Sequence, residues 1–347
     1  MNPLTLTLLA LSLTLGTIIT MSSSHWLLAW AGLELNTLAI IPVISKQHHP
    51  RATEAATKYF FTQATASALI VFASTTNAWK TGQWDISQVF LPETSMMITL
   101  AIAMKLGLAP FHFWLPEVLQ GSTLMVAMII STWQKLAPSA LLLMTINNLN
   151  QTILLSLGLL SALVGGWMGL NQTQTRKIMA FSSIAHMGWM FTALSLSPNL
   201  SSLVLITYLT LTSATFLALT TTTSKTLNDL GTNWPLSPTL LTITMMSLMS
   251  LGGLPPLTGF LPKWLVLKEL VSMNLHTIST MMALSTLPSL FFYLRMSHMT
   301  TLTLPPTTTN IKHKWRFKTY SMQMITPTII LATFMLPISP LISNLCQ

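Results

Sequence analysis

The sequence has very little charge and almost no cysteine. Asp, Glu, Lys and Arg together make up 7% of its 347 residues, whereas a soluble domain contains about 25% charged residues. The single cysteine, Cys346, excludes a disulfide framework and a CxxC metal site within the chain. Apolar side chains account for 51% of the residues, and the mean hydropathy is +0.62. The composition therefore indicates a membrane protein.

The N-terminal segment lacks the Arg- and Ser-rich amphipathic pattern of a transit peptide. It opens with an apolar run over 3–21. This run is longer than the apolar core of a signal peptide, about 7–15 residues, and we interpret it as the first membrane helix. The net charge is +9, but the basic residues are spread along loops without an arginine-rich stripe. We attribute this charge to membrane topology and not to nucleic-acid binding.

Apolar runs long enough to cross a bilayer, about 20 residues each, occur along the whole chain. They predict an all-α polytopic membrane protein, with short connections that leave no room for an extramembrane domain. The eleven predicted spans are 3–21, 25–44, 56–78, 93–118, 122–146, 151–171, 175–196, 199–223, 238–271, 275–297 and 323–344.

Lysine and arginine in the loops predict the orientation, because inward-facing loops carry an excess of these residues. An odd number of spans places the termini on opposite sides. Loops on the N-terminal side hold eleven basic residues, and the other side holds Lys80 and Lys268. We therefore predict an inside N-terminus and an outside C-terminus. The eleven residues are Lys46, Arg51, Lys58, Arg176, Lys177, Lys225, Arg295, Lys312, Lys314, Arg316 and Lys318.

Four ionisable side chains lie near the middle of predicted spans: Glu34, Lys105, Lys135 and His186. An ionisable group at mid-bilayer costs about 2.5–3.5 kcal/mol on insertion scales. Such residues normally face the interior of a helix bundle and mark ion pathways or proton relays. We therefore consider these four residues functional candidates.

Each candidate also has a structural interpretation. Glu34 and Lys105 could form an ion pair that fixes helix packing. Lys135 could bind the carbonyl that Pro138 leaves without a partner. His186 could be a hydrogen-bonded packing residue. The sequence gives the depth of these side chains but not the direction they face, so both interpretations stay open.

In the functional interpretation, Glu34 and Lys105 together form a proton switch. Burial disfavours the charged form of a lysine, and a neighbouring carboxylate favours it. Glu34 opposite Lys105 would therefore load or release a proton as the carboxylate moves, and Lys135 on the next helix would receive it.

One motif occurs twice. Gly107–Glu117, GLAPFHFWLPE, aligns without gaps on Gly253–Lys263, GLPPLTGFLPK, with five of eleven positions identical. Glycine and proline both interrupt helices. Secondary transporters build their ion sites from such paired, interrupted helices in corresponding halves.

The two copies lie in the fourth and ninth predicted spans. These spans are five apart, and because five is odd, the two copies run through the membrane in opposite directions. We therefore predict two inverted five-helix repeats with broken helices in spans four and nine. Lys105 stands at the first break, and Lys263 stands just beyond the second, where we expect an equivalent role. The alternative for Lys263 is a side chain that extends to the membrane interface. The predicted domains are 1–150 (first repeat, broken near 105–117), 151–297 (second repeat, broken near 251–263) and 298–347 (basic segment and last helix).

At these residues the sequence resembles a known family. Pro110–Glu117, PFHFWLPE, looks like the Pro-x-His-x-Trp-Leu-Pro signature of the antiporter-like membrane subunits of respiratory complex I and of multi-subunit cation/proton antiporters. The opening MNPL, GLELNTLAIIP around Glu34 and GGLPPLTGFLPKW extend the resemblance over nearly the whole chain. The family has a core of fourteen helices. The shorter set predicted here implies a shortened N-terminus and a groove that other subunits cover.

The resemblance implies a proton-translocating subunit with a relay at mid-membrane depth. Glu117 closes the signature, and we expect it to be structural. The family pattern places the relay on Glu34, Lys105, Lys135 and Lys263, with His112 and His186 as secondary candidates.

The resemblance also implies partners and location. It places no redox cofactor or metal in this chain, so NADH, FMN, iron–sulfur clusters and ubiquinone are expected in or between other subunits. The expected partners are other membrane-arm core subunits and accessory subunits of complex I, membrane lipids and protons, with no nucleic acid. The expected location is the inner mitochondrial membrane, with the N-terminus on the matrix side and the C-terminus on the intermembrane-space side.

Two other functions fit the same residues. A stand-alone or Mrp-type cation/proton antiporter would transport Na⁺ in the absence of NADH and would not need a respiratory complex. A purely structural membrane-arm subunit would assemble and pump normally after neutral, size-matched lysine replacements.

The charge bias predicts the side on which the basic segment 312–318 lies. Accessibility labelling of sealed vesicles should find this segment inside, together with the N-terminus, because lysine and arginine accumulate on that side. Labelling of the segment from the outside would overturn the predicted orientation.

Overall fold

The structure is a computed structural model that describes residues 2–47, 49–88, 91–232, 238–301 and 325–337. Within those ranges the regular elements are helices, and no strand occurs. The chain divides into two units, Met1–Ser161 and Ala162–Gln347. The boundary between them falls within one helix, α8.

Unit 1 contains three long helices followed by two interrupted ones. Their bounds are α1 Pro3–Ser22, α2 Trp26–Ile44, α3 Pro50–Thr81, α4 Pro92–Leu106, α5 Trp114–Gly121, α6 Leu124–Ser131, α7 Leu136–Thr145 and, across the boundary, α8 Gln151–Gly169.

Unit 2 has a similar order of elements. Its most buried helix is α9, which forms the centre of this unit. The bounds are α9 Thr175–Leu196, α10 Pro198–Thr222, α11 Leu227–Thr232, α12 Pro238–Gly252, α13 Phe260–Ser272, α14 His276–Thr301 and α15 Ile325–Phe334.

The predicted fold class is confirmed: the chain is an all-α polytopic membrane protein, with helix breaks in the fourth and ninth predicted spans. Seven helical stretches of the described residues are long and apolar enough to cross a membrane. The remaining helices are the more polar α3, the halves of the fourth and ninth predicted spans (α4, α5, α12 and α13), the short α11 and α15. The predicted span 323–344 is described only over 325–337, and the basic residues Lys312, Lys314, Arg316 and Lys318 and most of the predicted segment 298–347 lie outside the described residues.

One predicted span differs from the expectation of a continuous helix. The span 122–146 is interrupted by a 3₁₀ turn, Trp133–Lys135, between α6 and α7. The hydroxyls of Ser131 and Thr132 both donate to the carbonyl of Met128, at 3.0 and 2.7 Å, and the N–H of Thr132 keeps its helical bond to the same carbonyl at 2.9 Å. Pro138 lacks the N–H that would bind the carbonyl of Gln134, and its ring crowds that carbonyl, which accounts for the interruption one turn before the proline.

The same backbone bridge occurs in each unit. In unit 1, His25 pairs with Asp85, which joins the α1–α2 loop to the α3–α4 loop. In unit 2, Gln174 pairs with Thr226, which joins the α8–α9 loop to the α10–α11 loop. These matching bridges support an internal repeat through a feature unrelated to the glycine–proline motif.

Helices α1 and α2 pack closely because glycines face each other. A Cβ atom on Gly16 would lie 2.9 Å from the carbonyl oxygen of Gly32, and a Cβ on Gly32 would lie 2.9 Å from the carbonyl oxygen of Gly16. A Cβ on Gly16 would also overlap the side chain of Asn36. Lipid gives no hydrophobic drive for helix association, so close van der Waals packing at small residues must supply it.

The many threonines and serines are compatible with apolar surroundings because their hydroxyls bond within their own helices. Thr17, for example, donates to the carbonyl of Thr14 at 2.8 Å, and Thr192 donates to that of Trp189 at 2.9 Å. The hydroxyl therefore needs no partner in the lipid.

Replacement of Gly16 by alanine should separate α1 from α2. The added methyl group has no space, so we expect the free energy of unfolding to fall by about 1–3 kcal/mol, as for other overpacked sites. Thermal denaturation of the purified assembly measures the change. Ala10→Val, on the exposed face of α1, is the control and should leave the midpoint unchanged. Equal midpoints for the two variants would contradict this account of the interface.

Candidate functional site

The fourth predicted span ends its first half at a glycine in the left-handed conformation. Gly107 has φ 76° and ψ 40°, a region that glycine occupies without strain. Its N–H donates to the carbonyl of Met104 at 3.2 Å, and the N–H of Leu108 donates to that of Ala103 at 3.0 Å. This pair of bonds is a Schellman motif. The helix therefore ends at the glycine, before Pro110.

The last carbonyls of α4 have further partners. The indole Nε1 of Trp114 donates to the carbonyl of Met104 at 3.1 Å, and the amide of Gln63 donates to the carbonyl of Lys105 at 3.5 Å. Such carbonyls have no partner within their own helix. Side chains from α5 and α3 thus bind the carbonyls at the end of α4.

Lys105 lies in the last turn of α4 and is buried, with 6% of its surface exposed. Its Nζ has no hydrogen-bond partner in the described part of the chain. Lys105 thus belongs to the C-terminal turn of α4, the end that carries a partial negative charge, and no anion is bonded to its Nζ among the described residues.

A small cavity in unit 1 connects Lys105 with Lys135. Its volume is about 10 Å³, close to the minimum for one water molecule. Asn36 and Gln63 contribute polar groups, and both amide atoms of Asn36 are buried without a hydrogen-bond partner among the described residues. The lining also includes Leu33, Thr37, Tyr59, Leu106, Trp114, Leu115, Ile130, Gln134, Ala137 and Pro138.

Lys135 reaches this cavity from the 3₁₀ turn between α6 and α7, where it is 2% exposed. Next to it, the amide of Gln134 donates to the carbonyl of Asn36 at 3.2 Å and so ties this turn to α2. The interruption that the sequence did not predict therefore lies at a predicted relay residue.

Glu34 lies on α2 beside this cavity but does not line it. Its Oε2 is buried and accepts no hydrogen bond from the described residues. It is close enough to Lys105 and Tyr59 for its charge to act on both. No ion pair joins Glu34 to Lys105, however, since the Nζ of Lys105 has no hydrogen-bond partner among the described residues.

His112 and Glu117 lie apart from the cavity. His112 is buried in the turn before α5, bonds to the carbonyl of Pro110 and contacts the ring of Phe113. Glu117 is half exposed and forms an ion pair with Lys58 at 2.5 Å. Lys58 also pairs with Glu54 at 2.5 Å, and it holds the pKa of that carboxyl below its ordinary value. These contacts fasten α5 to the start of α3.

The ninth predicted span repeats the helix end of the fourth. Gly253 has φ 82°, its N–H donates to the carbonyl of Ser250 at 3.0 Å, and the N–H of Leu254 donates to that of Met249 at 3.5 Å. Lys263, on α13, donates from Nζ to the carbonyl of Gly252 at 2.9 Å. Lys263 is 8% exposed and therefore does not extend to an interface.

A second cavity of about 10 Å³ lies in unit 2 and is lined by both Lys263 and His186. The ring of His186 lies 5.6 Å from that of Tyr208, centroid to centroid. The other lining residues are Trp189, Val204, Thr207, Leu211, Gly259 and Pro262. Unit 2 thus brings together two of the predicted residues.

Four lining residues were not singled out from the sequence as relay residues: Asn36, Tyr59, Gln63 and Tyr208. The sequence reasoning selected ionisable groups at mid-span and passed over neutral amides and phenols. Their depth inside apolar runs was the available signal. Among the described residues, no group of three or more His, Cys, Asp or Glu side chains has a geometry suitable for a metal ion.

Relatives match the whole chain. The family model described as NADH:quinone oxidoreductase/Mrp antiporter, TM, matches residues 23–289, and the model of the NADH dehydrogenase subunit 2 C-terminus matches residues 290–343. Proteins named NADH-ubiquinone oxidoreductase chain 2, from Salmo salar and Struthio camelus, are each 54% identical over 99% of this chain and 99% of their own.

Two solved structures share the fold. A chain of respiratory complex I from Thermus thermophilus with bound Aureothin is 26% identical, with a TM-score of 0.84 over 97% of this chain and 79% of that chain. A chain of the Mrp complex from Dietzia sp. DQ12-45-1b has a TM-score of 0.83 over 97% of this chain and 76% of that chain. Its identity is 15%, so this likeness concerns the fold alone.

Replacement of Trp114 by phenylalanine should weaken the end of α4. The variant keeps an aromatic ring but loses the N–H that binds the carbonyl of Met104, which should cost about 1 kcal/mol of stability. Thermal denaturation of the assembled protein measures this change. Trp264→Phe, at a side chain that is 52% exposed, is the matched control. An equal effect of both variants would show that the indole bond does not support the helix end.

Proposed function

We propose, since this chain belongs to the NADH-ubiquinone oxidoreductase chain 2 family, that it is a core membrane-arm subunit of respiratory complex I that takes part in proton translocation. Translocation would be coupled to electron transfer from NADH to ubiquinone. The observation that carries the proposal is the cavity in unit 1 that Lys105 and Lys135 share. Two buried lysines on one water-sized cavity form a plausible route for a proton.

Glu34 would control the first step through its charge. The charged form of a buried lysine is disfavoured by desolvation and favoured by a neighbouring carboxylate. A displacement of α2 that brings Glu34 nearer to Lys105 would hold the proton there, and the opposite displacement would release it. Since Glu34 lies outside the cavity, it would not carry the proton itself.

The cavity then offers a path from Lys105 to Lys135. One water molecule fits between its walls, and the unpartnered amide of Asn36 would orient that water. In unit 2, Lys263 would hold a proton against the C-terminal end of α12, where it already binds the carbonyl of Gly252. His186 is the adjacent partner on the same cavity.

The chain itself would act without a redox cofactor. NADH, FMN, iron–sulfur clusters and ubiquinone would be bound in or between other subunits, and their reactions would drive the charge movement described here. The names of the relatives support this division of roles between subunits, because each relative is called chain 2 of an NADH-ubiquinone oxidoreductase.

The proposed location is the inner mitochondrial membrane, with the N-terminus in the matrix and the C-terminus in the intermembrane space. The support is the excess of lysine and arginine in loops on the N-terminal side. Other membrane-arm core subunits, accessory subunits and lipids would cover the apolar faces, such as that of α1, where Leu4, Leu8 and Ile18 are exposed.

Lys105→Met in the intact complex tests the relay directly. Methionine matches the length of the lysine side chain but cannot carry a proton, so NADH oxidation and proton uptake should fall together. The measurement is the rate of NADH oxidation and the rate of proton uptake in the same sealed vesicles, together with their ratio.

The control for this experiment is Lys80→Met, which removes a lysine from an exposed ion pair with Glu93. It should leave turnover and stoichiometry unchanged. An assembled Lys105→Met enzyme with normal turnover and normal stoichiometry would show that Lys105 is structural and would remove the proposed relay. Na⁺ transport without NADH would favour an independent antiporter instead.

A further inference from the structure

Tyr208 brings a phenol group to the cavity of unit 2 that Lys263 and His186 also line. It lies on α10 and is 2% exposed, and its ring lies 5.6 Å from that of His186. A buried phenol usually finds a hydrogen-bond partner, and the nature of that partner decides what its oxygen can still do. Two hydroxyls bond to the phenol, those of Ser183 on α9 and Thr212 on α10.

Both of these neighbouring hydroxyls have already given away their hydrogen. The hydroxyl of Ser183 donates to the carbonyl of Ala180 at 2.7 Å, and that of Thr212 donates to the backbone carbonyl of Tyr208 at 2.8 Å. A hydroxyl has one hydrogen to donate, so both oxygens are acceptors toward the phenol. The phenol is therefore the donor in this cluster, and its own oxygen can accept only from another direction.

The imidazole of His186 lies in such a direction. Ser183 and His186 are three residues apart and so lie on one face of α9. Long and aromatic side chains on a helix lean toward the turn before them. The imidazole therefore leans over the turn that carries Ser183, which is where the hydroxyl of Tyr208 is bonded. The lining of this cavity, all of it within the described residues, holds no carboxylate that would compete for the imidazole N–H.

A hydrogen bond at one nitrogen of an imidazole determines the state of the other nitrogen. The neutral ring carries its hydrogen on one nitrogen and a lone pair on the second. An acceptor such as a phenol oxygen holds the N–H on the nitrogen that faces it. The lone pair then belongs to the second nitrogen, and this nitrogen is the one that can take up a proton.

We propose that Tyr208 is a positioning residue for His186 in the relay of unit 2. Its hydroxyl donates to Ser183 and accepts the N–H of His186, so that the second imidazole nitrogen takes a proton from Lys263. The proton passes through the single water that a cavity of about 10 Å³ can hold. An N–H bond of the ammonium group breaks and an N–H bond of the imidazole forms, which leaves a neutral amine and an imidazolium. This inference rests on the proposed function, because it assigns a role within that relay.

Tyr208→Phe in the intact complex tests this role. The variant keeps the ring but removes the oxygen that holds the imidazole N–H. We expect the coupled rates of NADH oxidation and proton uptake in sealed vesicles to fall about fivefold, the weight of one lost hydrogen bond. The solvent deuterium isotope effect on the same rates should rise, because proton transfer then limits turnover more strongly. A loss of packing alone would not raise it.

Tyr293→Phe is the matched control. Tyr293 is also buried in unit 2, at 1% exposed, but it does not line the cavity. Its hydroxyl lies near Ser182 and forms no hydrogen bond of ordinary geometry within the described residues. Its removal should leave the rates and the isotope effect unchanged. Ser183→Ala removes one of the two acceptors of the phenol and should cause a smaller change than Tyr208→Phe, in the same direction.

Two results for the assembled enzyme would overturn the proposal. One is a Tyr208→Phe variant with normal rates and a normal isotope effect, and the other is an equal loss in Tyr208→Phe and Tyr293→Phe. Lys263→Met separates this inference from the proposed function. If Lys263→Met lowers proton uptake and Tyr208→Phe does not, the relay stands and the positioning role is wrong. If Lys263→Met and Lys105→Met both leave proton uptake unchanged, the relay is wrong and the positioning role with it.

Discussion

An interrupted helix inside a membrane must find partners for its last carbonyls, because lipid provides none. In this protein that requirement determines where the candidate relay lysines of the two broken helices lie. Gly107 and Gly253 end two helices with the same pair of backbone bonds. Gln63 and Lys263 bind two further carbonyls, those of Lys105 and Gly252, and Trp114 adds a second bond to the carbonyl of Met104. The breaks are therefore polar sites built from neighbouring helices, and each places a buried lysine at the negative end of a helix dipole.

The two breaks use their lysines differently. Lys105 belongs to the helix that ends, and its Nζ has no hydrogen-bond partner among the described residues. Lys263 lies beyond the break and reaches back to the carbonyl of Gly252. One ammonium group is thus free to respond to a nearby charge or water, whereas the other is held by a direct bond. We expect proton release to be easier to control at the first site, where Glu34 supplies a charge without a competing bond.

Several of these features could be predicted from the sequence. The glycine–proline motifs predicted both breaks, and the depth of Lys105 and Lys135 in apolar runs predicted burial. For Lys263 the repeat predicted an equivalent role, but its position nearer a helix end left an interfacial side chain as the alternative. The break at Lys135 was missed, because a proline such as Pro138 can also lie within a continuous membrane helix, as Pro42 does in α2. The absence of an ion pair between Glu34 and Lys105, and the arrangement of Asn36 and Gln63 around the cavity, depend on the faces that α2 and α3 present. A sequence gives depth along a helix but not its rotation against neighbours.

The size of the unit 1 cavity limits how the relay can work. A space of about 10 Å³ holds one water molecule at most, so a proton cannot pass between Lys105 and Lys135 along a continuous column of water. Transfer through a single water would depend on its orientation, which in the proposed relay would be set by the amide side chains that line the cavity, Asn36, Gln63 and Gln134. Glu34 lies outside this space and, in the proposed relay, would act through its field alone. The same small cavity would then permit proton transfer and prevent an uncontrolled leak, because transfer would require both the water and the charge to be in position.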